Sequence, residues 1–280
     1  MFLDPIRLKL LKSPTIANAM ANLGVFYSQS KLASIPCIAK PGILGDKEND
    51  GIVSINWVSF NKFYKSGLYD FVYEPIHRRQ KALEHYLSLF LGLGANWKDI
   101  EAVIIDIGSA KPVFRKVVTG MNPKLDIYCV DRTYPPGRNG WMVGTDGSSI
   151  DLPDNFADAI VLHCAFEEFE GDSDIALLQT AHRILKPTGK LVIIPFYLSD
   201  ISIEITDPFD FMFDAVIRKQ PIVFSQRYQK ALMKNLGHRF MRYYKWEDFV
   251  LLLTEARLTG KLLRIDDSDF RWCMIGEKEK

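Results

Sequence analysis

Residues 102–108 read AVIIDIG, an apolar run rich in β-branched side chains, interrupted by one acid and closed by a glycine. A strand with one wet face alternates apolar and polar residues, whereas an unbroken run is covered on both faces, as in a parallel sheet. The run therefore predicts a central parallel strand. Gly108 predicts a tight turn at its carboxyl end, where a residue lacking Cβ lets the backbone approach a ligand. Working outward, LDIYCVD (125–131), WMVGTD (141–146), FADAIVLHC (156–164) and KLVIIPFYL (190–198) read as further strands. Pro112 to Gly120, IALLQTAHRIL (175–185) and WEDFVLLLTEARL (246–258) read as helices. Upstream, Pro75 opens a helix carrying Ala82, Leu83, Tyr86, Leu87 and Phe90 at helical spacing and ending at Gly92 and Gly94. Two short strands around Asp266–Asp269 close the chain. Strands alternating with helices predict an α/β fold, a doubly wound, mostly parallel seven-stranded sheet.

Two regions stand outside that alternation. Residues 1–72 are expected to form an N-terminal cap or lid, and 73–280 the main domain, with an insertion at 199–245. The aromatic residues between Trp57 and Tyr73 either pack on that domain or face a substrate. The insertion carries the acidic, aromatic DPFDFMFDAV and an expected helix from Ser225 to Leu236. Composition is that of an ordinary globular chain, with 48% hydrophobic and 25% charged residues, which excludes a disordered or collagen-like protein. A net charge of +1 gives no electrostatic argument for nucleic acid, so no nucleic-acid partner is expected. No run approaches the roughly 18–20 apolar residues of a spanning helix, so no integral membrane association is expected. The opening MFLDPIRLKLLKSP lacks the apolar core of a secretory signal. Its Phe2, Ile6 and Leu10 suit a helix docking on its own domain, the alternative being a helix lying on a membrane surface. Cys37, Cys129, Cys164 and Cys273 are scattered without a CxxC pair. They read as reduced thiols in a cytoplasmic protein, with no metal site.

In open α/β sheets ligands bind beyond the carboxyl ends of the strands, where strand order reverses. The candidate residues are therefore the strand ends. The first offers Asp106, Gly108, Ser109, Ala110 and Lys111; the second Asp131; the third Asp146 and Gly147; the fourth His163 and Cys164. A carboxylate such as Asp131 suits a ribose, because two neighbouring hydroxyls can donate to its two oxygens. Asp106 is placed to accept from an ammonium group or from loop amides, and Asp146 from an adenine amino group.

The span from Gly144 to Ile194, GTDGSSIDLPDNFADAIVLHCAFEEFEGDSDIALLQTAHRILKPTGKLVII, resembles the class I S-adenosylmethionine-dependent methyltransferases, especially the type 11 group. The matching positions are Asp146, Leu152-Pro153, Asp154, Phe156, Asp158, Phe166-Glu167-Glu168 and Arg183 to Gly189. VIIDIGSA resembles the family's first motif, but Gly108-Ser109-Ala110-Lys111-Pro112 departs from its usual G-x-G-x-G loop. The resemblance implies S-adenosylmethionine as cofactor, in-line attack of an acceptor on its methyl group, and so an enzyme of the methyltransferase class. It places His163 beside the reacting methyl as the candidate base, the alternative being a buried, hydrogen-bonded histidine, with His238 and Tyr134 as further candidates; Lys111 is set near the cofactor carboxylate, the alternative being a solvated helix-start lysine. A small-molecule or carbohydrate substrate is expected, with a homodimer as the assembly considered. Two alternatives stand beside this reading. One is a non-catalytic binding protein on a degenerate methyltransferase fold. The other is a nicotinamide-dependent oxidoreductase, for which Gly108-Ser-Ala-Lys-Pro-Val does not supply G-x-G-x-x-G.

Overall fold

The structure is a computed structural model that describes residues 51–65, 69, 72–214, 219–233, 236, 238–265 and 272–278. The first 50 residues, with the expected Phe2–Leu10 helix and Cys37, and the turn at Asp266–Asp269 lie outside the described residues.

The elements run β1 (Ile52–Val53), α1 (Trp57–Tyr64), α2 (Pro75–Leu93), β2 (Ala102–Ile107), α3 (Val113–Met121), β3 (Leu125–Val130), β4 (Gly137–Asn139), β5 (Met142–Gly144), β6 (Ala157–His163), α4 (Ser173–Ile184) and β7 (Leu185–Ile194). They continue with β8 (Ile203–Thr206), α5 (Pro208–Phe213), β9 (Gln229–Leu232), β10 (Met241–Tyr243), α6 (Trp246–Ala256), β11 (Leu258–Ile265) and β12 (Trp272–Lys278). The described residues divide into two compact units, one comprising those within 51–166, 174–196 and 250–278, the other those within 167–173 and 197–249.

The first unit is built on an open nine-stranded sheet in the order β1-β11-β12-β7-β6-β2-β3-β5-β4. β7, β6, β2, β3 and β5 are mutually parallel, and β12 runs antiparallel to both β7 and β11. The expected doubly wound sheet is present. Its strand count is corrected from seven to nine, because β1 pairs with β11 at one edge and β4 with β5 at the other. Those additions are two and three residues long, too short to leave a periodic signal in the sequence. After β2 the chain winds outward through β3 and β5, then returns to place β6 on the other flank of β2. The carboxyl end of β2 is thus the switch point of the sheet.

The apolar run that predicted β2 is buried as expected: Ile104, Ile105 and Ile107 are each almost fully removed from water. Such burial contributes about 1.5–3 kcal/mol per side chain. α3 buries Val113, Phe114, Val117 and Val118, one stripe of a 3.6-residue period. α2 starts on Pro75 and ends against Gly94, whose φ of 90° stops the helix. It packs on β6 and β7, and a Cβ at Gly92 would stand 3.3 Å from Ala159 Cβ, so the glycine sets a close approach. Phe60, Phe63 and Tyr69 join Tyr86 and Trp97 in the same core, which is the packing role for these aromatics. Residues 51–65, part of the segment expected as a cap, therefore contribute β1 and α1 to this unit.

The second unit carries a three-stranded sheet, β10-β8-β9, over Ile203, Ile205, Ala231, Met241 and Tyr243. The helix expected from Ser225 to Leu236 is not formed; Gln229–Leu232 is instead β9, parallel to β8. Pairing with a strand some 26 positions earlier outweighs the local helical spacing, as sheet context commonly does. Glu204 and Arg242 are both fully buried and paired, with Arg242 Nε 3.1 Å from Glu204 Oε1. The guanidinium also lies 4.6 Å from the Tyr228 ring centroid. Ser225 N donates to Glu204 Oε2 at 3.0 Å, and Ser225 Oγ to Asp172 Oδ1 at 2.6 Å.

Candidate active site

The turn after β2 is fixed from below by β3. The amides of Gly108 and Ser109 both donate to Val130 O, at 2.9 and 3.2 Å. Gly108 holds φ 80°, and a Cβ there would meet Ala165 Cβ at 2.5 Å. Gly108, Ala110 and Lys111 face solvent while Ser109 is buried. Ser109 Oγ has no hydrogen-bond partner of ordinary geometry, although its proximity slightly lowers the Cys129 thiol pKa. Burial dominates there and, with the Asp106 charge, pushes that thiol up to about 12. Lys111 Nζ stands 6.0 Å from the Tyr73 ring centroid. Pro112 precedes α3 with φ −77° and ψ 45°, so the loop turns into its helix without the expected further glycines.

Because Val130 carries both turn amides, its neighbour Asp131 sits beside that turn, as the sequence reading required. Asp131 Oδ1 accepts from Thr133 N at 2.8 Å and Thr133 Oγ1 at 2.6 Å. No described residue donates to Oδ2. Asp131 N in turn donates to Val143 O at 3.1 Å, which brings the end of β5 alongside. Beyond β5, Asp146 is exposed and its Oδ1 accepts from Ser148 N and Oγ at 2.9 and 2.8 Å, next to buried Gly147. Tyr134 reaches back from the loop after β3 and donates its phenol to Ser109 O. Burial, then the charges of Cys129, Asp131 and Asp106, push this phenol's pKa well above the ordinary value.

On the other flank, between β2 and β6, the polar groups meet α2. His163 Nδ1 lies 3.1 Å from Asp106 Oδ1, and His163 Nε2 lies 2.8 Å from Ser88 Oγ. The two side chains of the Asp106–His163 pair are only 5% and 6% exposed, respectively. His85 packs edge-on to His163 with ring centroids 4.5 Å apart, and its Nδ1 accepts from Tyr69 OH at 2.7 Å. Burial, then His163 and Lys81, hold His85 well below the usual histidine pKa. Cys164 takes φ 50°, a left-handed conformation that costs a non-glycine residue about 1–3 kcal/mol and needs surrounding bonds to hold it. Those bonds are Cys164 N to Ile194 O at 3.0 Å and Sγ to Glu84 Oε1 at 3.2 Å. Glu84 Oε2 accepts from Lys81 Nζ at 2.8 Å. Burial opposes the Lys81 charge, but Glu84 and Cys164 outweigh it and hold its pKa above the ordinary lysine value.

All ten sequence candidates therefore cluster at the carboxyl ends of β2, β3, β5 and β6. Both ring nitrogens of His163, the candidate base, lie within hydrogen-bond distance of a neighbour, Ser88 on one edge and Asp106 on the other. Lys81, Glu84, His85 and Ser88 were missed. Their signal is a polar stripe at helical spacing inside the otherwise apolar KALEHYLSLF of α2. The residues that carried the family resemblance are largely architectural. Arg183 donates to Leu152 O at 2.7 Å, Ile150 O at 2.6 Å and Asp154 Oδ1 at 2.8 Å. Asp158 Oδ2 accepts from Val103 N and from Lys186 Nζ, both at 2.8 Å. His238 pairs with Glu168 in the second unit, 3.2 Å from Nδ1 to Oε1.

Residues 112–193 match the methyltransferase domain family. The matched segment runs from the start of α3 into β7. Among solved structures, the chain is similar to the 1,6-didemethyltoxoflavin-N1-methyltransferase of Burkholderia thailandensis, determined with 1,6-didemethyltoxoflavin and S-adenosylhomocysteine. The identity is 15% and the TM-score 0.44, covering 80% of this chain and 87% of that one. It is also similar to the PH0226 protein of Pyrococcus horikoshii OT3, at 13% identity and TM-score 0.47, covering 78% of this chain and 99% of that one. A SAM-dependent methyltransferase of Methanosarcina mazei shares 14% identity at TM-score 0.38, covering 64% and 92% of the two chains. No curated protein matches in sequence. Among the described residues no helix is long and apolar enough to cross a membrane.

Proposed function

We propose that this chain transfers a methyl group from S-adenosylmethionine to the oxygen or nitrogen of a small-molecule or sugar-like acceptor. The observation that carries this is the Asp131 carboxylate, anchored through one oxygen beside the solvent-facing Gly108 turn. The residues present suit the cofactor. A glycine turn admits close approach, the Asp131 Oδ2 is left for a ribose hydroxyl, and the buried Ser109 Oγ lacks a partner. Asp131 would hold the ribose and Asp146 with Gly147 the adenine. Gly108, Ser109, Ala110 and Lys111 would border the amino-acid end, with Asp106, His163 and Cys164 closing its floor. When bound, the cofactor supplies an electrophilic sulfonium methyl. The protein's contribution is then positioning and exclusion of water, which suits a transfer that needs alignment more than proton traffic.

S-Adenosylhomocysteine binding, measured by calorimetry, tests the reading. Binding in the micromolar range is expected, weakened about 10- to 100-fold in Asp131→Ala, as loss of hydrogen bonds to a charged group implies. No binding by the intact chain overturns it, and fluorescence enhancement with NADH would favour the oxidoreductase. The Tyr134 bond across the turn is the observation that favours a binding protein on the same fold. Cofactor turnover with any acceptor pool excludes that alternative.

A further inference from the structure

Three side chains from three elements form one line under the switch point: Ser88 from α2, His163 from β6 and Asp106 from β2. Ser88 Oγ is 2.8 Å from His163 Nε2, and His163 Nδ1 is 3.1 Å from Asp106 Oδ1. The serine is fully buried, so the line is no hydrolytic triad: a nucleophile in that place meets no substrate. Ser88 Oγ also lies 3.0 Å from His85 O. The ring is thus held at both nitrogens and packed against the rings of His85 and Phe114, with centroids at 4.5 and 5.0 Å. A side chain held on every side transmits orientation. What it holds is the Asp106 carboxylate, whose Oδ2 no described residue engages.

We propose that His163 is a positioning residue: clamped by Ser88, it fixes Asp106 through Oδ1 so that Oδ2 is presented to the ammonium group of the cofactor. This rests on the methyltransferase reading and deepens it. The donor that matters is Nδ1–H; the contact at Nε2 only steadies the ring.

The two amide substitutions separate these contacts. His163→Asn places an amide nitrogen near the Nδ1 position and gives up Ser88. His163→Gln reaches the Nε2 position and gives up Asp106. S-Adenosylhomocysteine affinity by calorimetry is measured for both, alongside unfolding midpoints and the KM and kcat for the cofactor. The expected result is a Gln variant weakened about 10- to 100-fold, an Asn variant restored to within about threefold of the parent, and similar midpoints for the two. The loss in the Gln variant should fall on KM rather than kcat. Equal affinities in the two variants, or a weaker Asn variant, overturn the positioning role. A loss confined to kcat overturns it in favour of a catalytic base. Failure of the parent chain to bind S-adenosylhomocysteine at all overturns the methyltransferase reading and this inference with it, and so is distinguished from failure of the inference alone.

Discussion

Gly108 is glycine for two separable reasons, a left-handed φ of 80° and a neighbour, Ala165 Cβ, that a new Cβ would meet at 2.5 Å. The neighbour is a short side chain on fixed backbone, so neither cost is relieved by a rotamer change. Gly108→Ala is expected to lower stability by about 2–4 kcal/mol in urea unfolding, combining backbone strain with overpacking. Gly120 is the internal contrast. It lies in α3 with nothing within 4 Å of a built Cβ. Gly120→Ala is expected to stabilise by about 0.5–1 kcal/mol, the ordinary helix gain. Similar losses in both variants would show that the turn after β2 is less constrained than its geometry says.

At the scale of elements, α4 does more than cover the sheet. From its last turn Arg183 reaches two backbone carbonyls and a carboxylate in the 150–154 loop that leads into β6. Arg183→Ala is expected to cost about 1–3 kcal/mol in unfolding, because two carbonyls lose a charged donor, while S-adenosylhomocysteine affinity stays unchanged. Lost affinity at full stability would mean the arginine serves the ligand rather than the loop. The same arginine shows why the sequence was readable where it was. Strands such as β2 and β6 are buried along nearly their whole length, so their apolar runs are explicit. Gly108 and Asp131 follow strand ends at positions where the chain must turn. β9 was misread because its partner β8 lies far away in sequence, and a local window sees only helical spacing. The stripe on α2 was overlooked for a related reason. Ser88 and His163 are 75 positions apart, and only the packing of α2 on β6 makes them neighbours.

Across the whole molecule, each unit places a polar group in its interior, an ion pair in one and an imidazole in the other. The second unit buries an ion pair, Glu204 with Arg242. The first buries a neutral imidazole, His85, with Tyr69 donating to Nδ1 and with His163 and Lys81 disfavouring a second positive charge. Its folded pKa lies well below the ordinary histidine value near 6.5. The unfolded chain therefore takes up a proton that the folded chain refuses. The stabilisation is fully present above about pH 6.5 and declines as pH falls below it, by up to about 1.4 kcal/mol per pH unit. Urea unfolding between pH 8 and 5 should show a flat region followed by a decline that begins near 6.5, before most carboxylates titrate. His85→Asn retains an acceptor near the Nδ1 position for Tyr69 and cannot take up the proton. It should be less stable than the parent at pH 8 and should show a shallower decline. An identical slope in the variant would place the acid sensitivity elsewhere and remove His85 as its source.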